Sequence, residues 1–407
     1  MKERTLHKII MEVSKSFPVL LLTGPRQIGK TTLLEACATS ERTCVTLDDF
    51  EERALAQNDP ALFLQMHKPP LLIDEVQYAP RLFSAIKMIV DKHKDPGMFW
   101  LTGSQKFHLM KGVTESLAGR VAILDMLGFS QAEIEGRALS TEPFLPTTEW
   151  LNTARHHLGS SKKLMEVYHN IWLGSYPKVI LDPLISRDLF YKSYVQTYIQ
   201  RDVKDVLEIK DDRAFHQFLK AIAARTGQLL NYADIARDVD IDHKTAKSWL
   251  SVLEASGLVY LLQPYYSNVS KRLLKTPKIY FLDTGLCSYL TQWPSAASLE
   301  SGAMSGAILE TYLFSEILKS YWHQGKSAYF YYYRDMDQKE IDLLIEQGDI
   351  LYPIEFKKTA SPSRTACKHF PVIEQLGKKI GHGAIVCLRE KDIPLSSMVD
   401  AIPIGYI

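Results

Sequence analysis

The sequence predicts a multidomain α/β chain, with a parallel-sheet nucleotide-binding core, a helical middle ending in a winged helix-turn-helix, and a C-terminal α/β domain. Three observations carry that prediction. An apolar strand runs through a glycine-bounded loop into a helix near residue 30, a helix-turn-helix order with two β-rich segments fills 214–282, and carboxylate-bearing strands follow a helix in the last hundred residues. A length of 407 residues allows two to four domains at about 100–200 residues each. Hydrophobic residues at 46% and charged residues at 23% are globular usage, which excludes wholesale disorder, collagen and coiled coil. No run reaches the roughly 18 apolar residues that span a bilayer, and Met1-Lys2-Glu3-Arg4 leads into no apolar signal core. The expectation is a cytoplasmic chain with no membrane partner. Five scattered cysteines form no CxxC pair, so neither a disulfide framework nor a zinc ribbon is expected. A net charge of +1 excludes a wholly basic nucleic-acid coat protein but averages over local patches.

The first element is the strand Pro18 to Thr23, followed by a loop matching G-x-x-x-x-G-K-S/T from Gly24 to Thr31. Glycines at both ends let the backbone wrap a phosphate so that amides and the helix N-terminus face the anion. The expected nucleotide-binding residues are Gly24, Pro25, Arg26, Gln27, Ile28, Gly29, Lys30, Thr31 and Thr32. Lys30 reaches the β/γ-phosphates of ATP, and the Thr31 hydroxyl holds Mg²⁺. About 40 residues later the strand Pro70 to Glu75 ends in two carboxylates. Asp74 is expected to hold the nucleotide's Mg²⁺ and Glu75 to orient the attacking water, although the pair alone would also suit an acidic helix cap. A third strand, Met98 to Gly103, ends at Ser104, which suits either a γ-phosphate sensor or an ordinary turn serine. Arg120 ends a helix before the strand Val121 to Leu127, as a finger reaching a neighbouring subunit's nucleotide or as a surface salt bridge.

The four motifs Gly24–Thr31, Leu72–Gln77, Leu101–Gln105 and Leu117–Arg120, in that order, resemble the AAA-type ATPases of bacteria and archaea that carry a C-terminal domain of unknown function. The resemblance implies an αβα core with parallel strands, a helical lid, ATP hydrolysis and assembly into a homo-oligomer. It places the ATPase core at 1–128 and the lid with its connecting helices at 129–212. Within the latter, Pro143 and Pro146 mark a loop, and one long helix is expected from about Arg187 to Ile209, with Tyr191, Tyr194 and Tyr198 on one packing face. Arg201-Asp202 resembles a recurring family feature, a relay of the nucleotide's state.

Residues 213–282 follow with a helix to about Arg225, a short helix Tyr232 to Arg237, a longer one from Asp242 to Ala255, and two apolar segments, Gly257 to Tyr266 and Pro277 to Leu282. That order is a winged helix-turn-helix, whose recognition helix puts His243, Lys244 and Lys247 nearest the bases of DNA. Lys271 and Arg272 belong to the wing. Between His243 and Lys278 six Lys/Arg (Lys244, Lys247, Lys271, Arg272, Lys275, Lys278) face one acid, Glu254, an excess of five that suits phosphate. Winged helices also serve as protein-binding modules, and the sequence leaves both partners open.

After Trp293 to Ser305, which has the composition of a linker, the last domain is expected at 300–407. It holds a helix with Glu310, a strand with Asp342, and a strand with Glu355 and Lys357 two apart on one face. Glu340 lies two residues from Asp342. Carboxylates and a lysine in this order resemble the PD-(D/E)xK nuclease superfamily, which implies a restriction-endonuclease-like fold, a second metal site at Glu310, Asp342 and Glu355, and phosphodiester cleavage assisted by Lys357. A hairpin salt pair between Glu355 and Lys357, on an inactive nuclease-like fold in a regulatory protein, is the other reading of the same residues.

Overall fold

A computed structural model describes residues 2–104, 106–157, 162–199, 211–266 and 275–407. The first domain opens with α1 (Leu6–Val13) and alternates strands with helices: β1 (Val19–Thr23), α2 (Lys30–Cys37), β2 (Thr43–Thr46), α3 (Phe50–Asn58), α4 (Pro60–Met66), β3 (Leu71–Asp74), α5 (Arg81–His93), β4 (Phe99–Gly103), α6 (Lys106–Ser116) and β5 (Val121–Asp125). All five strands pair parallel in the order β2-β3-β4-β1-β5. Fully buried runs such as Val19–Thr23 and Phe99–Gly103 are what a sheet covered on both faces requires. Asp49 and Asp59 start α3 and α4 by accepting from backbone amides, with Pro60 at the first turn of α4.

The helical middle holds α7 (Gln131–Ile134), α8 (Thr148–His157), α9 (Leu164–Leu173), α10 (Pro177–Leu181) and α11 (Arg187–Tyr194). Of the single helix expected to Ile209, α11 continues into a π-helical turn at Val195–Ile199, and residues 200–210 lie outside the described residues. Arg201 and Asp202 lie outside the described residues. Tyr191 and Tyr194 are buried, as their shared face requires, packed with Tyr176 and Phe190.

Three helices follow, α12 (Asp212–Ala223), α13 (Tyr232–Val239) and α14 (His243–Ala255), each begun by an Asp or Asn cap (Asp211, Asn231, Asp242). Trp249 packs its edge against Phe215 and Phe218 at 5.2 and 5.4 Å, joining α14 to α12. Strands β6 (Gln228–Leu229), β7 (Val259–Leu262) and β8 (Lys278–Phe281) form an antiparallel sheet in the order β6-β8-β7. β6 was not expected, because two residues are too short for a periodic signal. Downstream of β7 the chain joins the last domain directly: Tyr265 N–H donates to Tyr332 O at 2.7 Å, and Tyr332 N–H to Gln263 O at 3.1 Å.

The expected linker at 293–305 is corrected by the structure. After α15 (Thr284–Leu290), Ser295 starts α16 (Ala296–Ser301) with a capping box, and buried Leu299 anchors it beside α9. Serine and alanine made the stretch look like a linker, whereas one leucine and a good cap suffice to dock it. The last domain has α17 (Ser305–Trp322), then β9 (Phe330–Arg334), β10 (Glu340–Gln347), β11 (Ile350–Lys357), β12 (Lys379–Ile380), β13 (Gly383–Cys387), β14 (Ile393–Ser396) and β15 (Val399–Pro403). Strands β9, β10 and β11 are an antiparallel meander, β13 pairs parallel to β11, and the sheet continues to β15 and β14. One continuous core runs from Leu6 and Leu20 through Tyr176, Phe218 and Trp249 to Leu313 and Ile354, so the segments share an interior.

Candidate functional site

The phosphate-type loop follows β1 at the carboxyl edge of the parallel sheet. Gly24 has φ +145°, and a Cβ there would stand 2.1 Å from Met126 O, so only glycine lets the loop pass β5. Gly29, at φ +88°, caps α2, whose first-turn amides point into the loop. Lys30, buried, donates to Gly24 O and Pro25 O at 2.9 and 2.8 Å, which lays its ammonium across the loop. Thr31 Oγ1 donates to Asp74 Oδ1 at 2.9 Å, uniting the loop with the tip of β3. Burial raises the pKa of Asp74, with Glu75 adding to it and the Thr31 bond opposing it. A hydroxyl beside a carboxylate, next to a lysine and a helix N-terminus, is a donor set that fits a magnesium-nucleotide. Arg26 and Ile28 sit in the loop, Gln27 has φ +59°, and Thr32 is exposed.

Glu75 occupies a left-handed position, φ +53°, at the turn after β3. Its carboxylate accepts from Gln77 Nε2 and, at 3.3 Å, from Ser104 Oγ at the tip of the neighbouring strand β4. The expected water-orienting acid and the expected sensor therefore touch. Gln77 was missed; it is buried and fills the space over Gly103, where a Cβ would lie 2.1 Å from its Oε1. A second unforeseen neighbour is Gly257, between α14 and β7, where a Cβ would come within 3.1 Å of Pro25 Cδ. The three-helix module thus abuts the loop across a narrow cleft lined by Ile28, Tyr176, Leu258 and Asp283.

Arg120 lies before β5, at the opposite edge of the sheet from its own loop, because β1 and β5 are parallel and Val19 pairs with Val121. Its guanidinium makes two bonds to Asp91, at 2.5 and 3.0 Å, and holds that carboxyl below its ordinary pKa. A surface salt bridge is what this chain makes by itself.

His243, Lys244 and Lys247 are exposed at the start of α14, with His243 edge-on to Tyr232 at 5.4 Å. Lys271 and Arg272 lie outside the described residues. Lys278 leaves the proposed basic face altogether: its side chain is 4% exposed and faces the last domain, which lowers the local excess of positive charge from five to four.

In that domain Glu310, Asp342, Glu355 and Lys357 converge, and Lys278 stands among them. Its Nζ is 3.1 Å from Glu310, 2.6 Å from Glu340 and 3.9 Å from Asp342. Tyr280, two residues along β8, donates to the same Glu310 oxygen at 2.6 Å. A register shift in β10 between Ile341 and Leu344 turns Asp342 so that its Oδ2 accepts from Phe356 N–H at 2.9 Å. Lys357 pairs with Glu355 and, at 3.7 Å, with Asp342. Burial and then Asp342 push the Glu310 and Glu355 carboxyls up, opposed by Lys278 and Lys357 respectively. Burial opposes the charge on Lys278, yet Glu310, Asp342 and Glu340 outweigh it and hold its pKa above the usual lysine value. Among the described residues no three His, Cys, Asp or Glu side chains are grouped to hold a metal ion as they stand. The carboxylates are spread around an ammonium. The missed signal was a lysine at the head of the apolar run Ile279-Tyr280-Phe281-Leu282.

Comparison with known proteins agrees with the first part of this picture. The family model described as an AAA domain matches residues 16–135, the part of the chain that holds the parallel sheet and the glycine loop, which resembles a P-loop ATPase core. Two models of unknown function, DUF8612 and DUF4143, match 165–297 and 305–407. Uncharacterized proteins of Mycobacterium tuberculosis and Mycobacterium bovis are 28% identical over 392 residues, covering 96% of this chain and 81% of theirs. Among solved structures, a Walker-type ATPase of Pyrococcus abyssi aligns with TM-score 0.42 and 14% identity, over 71% of this chain and 96% of that one. The RuvB Holliday junction branch migration motor of Thermotoga maritima aligns with TM-score 0.30 and 16% identity, over 63% and 87%. Among the described residues no helix is long and apolar enough to cross a membrane.

Proposed function

We propose that the chain binds and hydrolyses ATP with Mg²⁺ and passes the nucleotide's state to a DNA-binding winged helix formed by α12–α14 and β6–β8. The observation that carries the reading is the contact of Thr31 with Asp74, with Lys30 and Glu75 at the same sheet edge. Bound magnesium-ATP supplies the phosphoryl group and a cation charge on it. Lys30 neutralises phosphate oxygens, Thr31 and Asp74 hold the cation, and Glu75 accepts the proton side of the attacking water. The bonds to Gln77 and Ser104 keep the Glu75 carboxylate turned across the tips of β3 and β4, so a change at the γ-phosphate is felt by Ser104 first. Arg120, turned away from its own loop, suits a finger for a neighbouring copy in a homo-oligomer. The contact of Gly257 with Pro25 supports coupling of the loop to the winged helix.

For the last domain the ion-pair cluster favours the second reading, a nuclease-like fold serving regulation, over a working nuclease. The test of the ATP site is turnover and nucleotide binding in wild type, Lys30→Ala and Glu75→Gln. Lys30→Ala should lose binding, and Glu75→Gln should keep binding and lose turnover by a factor of at least about 100. Equal rates in all three proteins would remove the assignment.

A further inference from the structure

We infer that the ammonium of Lys278 is the resident cation of the acidic cluster in the last domain, so that seating of β8 and binding of a divalent metal there exclude one another. This rests on the nuclease-like reading of the cluster and adds what regulates it. Lys278 comes from a different module than the carboxylates it meets, and it reaches Glu310 on α17 and Glu340 and Asp342 on β10 simultaneously. Oxygens at 2.6, 3.1 and 3.9 Å from one nitrogen surround an ammonium; a small divalent ion needs them at about 2.1 Å. On the other side, Asp342 Oδ2 already accepts from the Phe356 amide and lies 3.7 Å from the Lys357 ammonium. Arg334 takes the other oxygen of Glu340 at 3.2 Å, and Lys357 takes Glu355.

Nor can the lysine swing aside. Its strand is held in place by Tyr280, which bonds Glu310 and stacks on Phe314 of α17 at 4.1 Å, and the ring of Tyr332 lies 5.7 Å from Nζ. With the side chain 4% exposed, the ammonium leaves only if β8 moves relative to α17 and β10. A metal entering first would meet a like charge in a water-poor site, where charges are poorly screened. The cluster is therefore a latch for β8 in this arrangement, and metal chemistry is closed to it.

The experiment is Mn²⁺ binding to the full-length, nucleotide-free protein, followed by the loss of the free-ion electron paramagnetic resonance signal. Wild type, Asp342→Asn, Lys278→Met, Lys278→Gln and Lys278→Met/Asp342→Asn are compared. Wild type and Asp342→Asn should titrate alike. Lys278→Met should gain one site at least tenfold tighter than anything Asp342 contributes in wild type, and the double variant should lose it. Lys278→Gln, which keeps a polar head without the charge, stands in if the methionine variant does not fold. Wild type binding Mn²⁺ through Asp342 would overturn the inference while leaving the nuclease-like reading intact. Folded Lys278 variants that gain no site would overturn both the exclusion and the reading of the cluster as metal-competent.

Discussion

Glu133→Ala tests how firmly the ATPase domain is joined to the rest of the chain. The Glu133 side chain is fully buried at the start of α7, where it completes the capping box with Ser130. Its oxygens meet Arg4 at 3.2 Å, Thr5 N–H at 2.9 Å and Ser130 N–H at 2.9 Å. His323, at the end of α17, presents Nδ1 at 3.3 Å while its Nε2 accepts from Leu127 N–H at 3.2 Å. Burial works against this carboxylate, yet His323 and Arg4 hold its pKa well below the usual range, so it is ionised at neutral pH. Truncation leaves the Arg4 guanidinium, itself 4% exposed, with Leu127 O at 2.6 Å and the Phe129 ring as compensation. Removing one partner of a buried ion pair costs about 3–5 kcal/mol, while the Ser130 cap on the residue 133 amide survives the truncation. Urea unfolding followed by far-ultraviolet circular dichroism should therefore show a loss of about 4 kcal/mol in the transition of the segment containing α1 and α7. Arg4→Met/Glu133→Leu, which removes both charges, should lose clearly less than Glu133→Ala. A loss under about 1 kcal/mol, or a double variant no better than the single one, would refute the view that paired burial sets the cost.

Arg120→Ala should retain ATP binding and lose turnover by about 10³-fold if the arginine serves a neighbour, and mixing it with Glu75→Gln should restore part of the rate; a monomeric protein, or no rescue, removes the finger. Lys244→Ala and Lys247→Ala should each weaken binding to duplex DNA and reduce the slope of log affinity against log salt by about 1 in a filter or gel assay. Unchanged binding in both would turn the exposed start of α14 into a protein-binding face.

The parts of the chain with local, periodic signals were legible in the sequence. Strand, glycine loop and helix stand side by side between Val19 and Cys37, and the carboxylates of β3 end a run too apolar to be anything but an interior strand. The three helices of the middle module were read from the order of helical stretches and turns, and the structure starts each on a cap, at Asp211, Asn231 and Asp242. Tertiary choices were not legible. Gln77 is an ordinary glutamine until the bare Gly103 on the adjacent strand makes room for it. Lys278 counted as one more positive charge near a helix-turn-helix, and only the approach of α17 and β10 from far along the chain shows it facing three carboxylates. The stretch around Ser295 looked flexible because its composition is polar, whereas docking on α9 depends on a neighbour that local propensity does not contain.

Helix α17 carries two separate charged assemblies on one rod. Near its carboxyl end, Glu316 accepts from Gln131 N–H at 2.8 Å, Lys319 donates to Phe129 O at 2.9 Å, and His323 meets Glu133, all beside the ATPase sheet. Near its amino end, Glu310 faces Lys278 and Tyr280. Thirteen residues separate Glu310 from His323, about 20 Å of helix at about 1.5 Å per residue. A rod of that length converts a tilt of about 5° at one end into about 2 Å at the other, more than the tolerance of a 3 Å contact. The geometry is that of a lever arm pivoted at the ATPase sheet, so a rotation there too small to disturb packing would be decisive for the ion pairs at the far end.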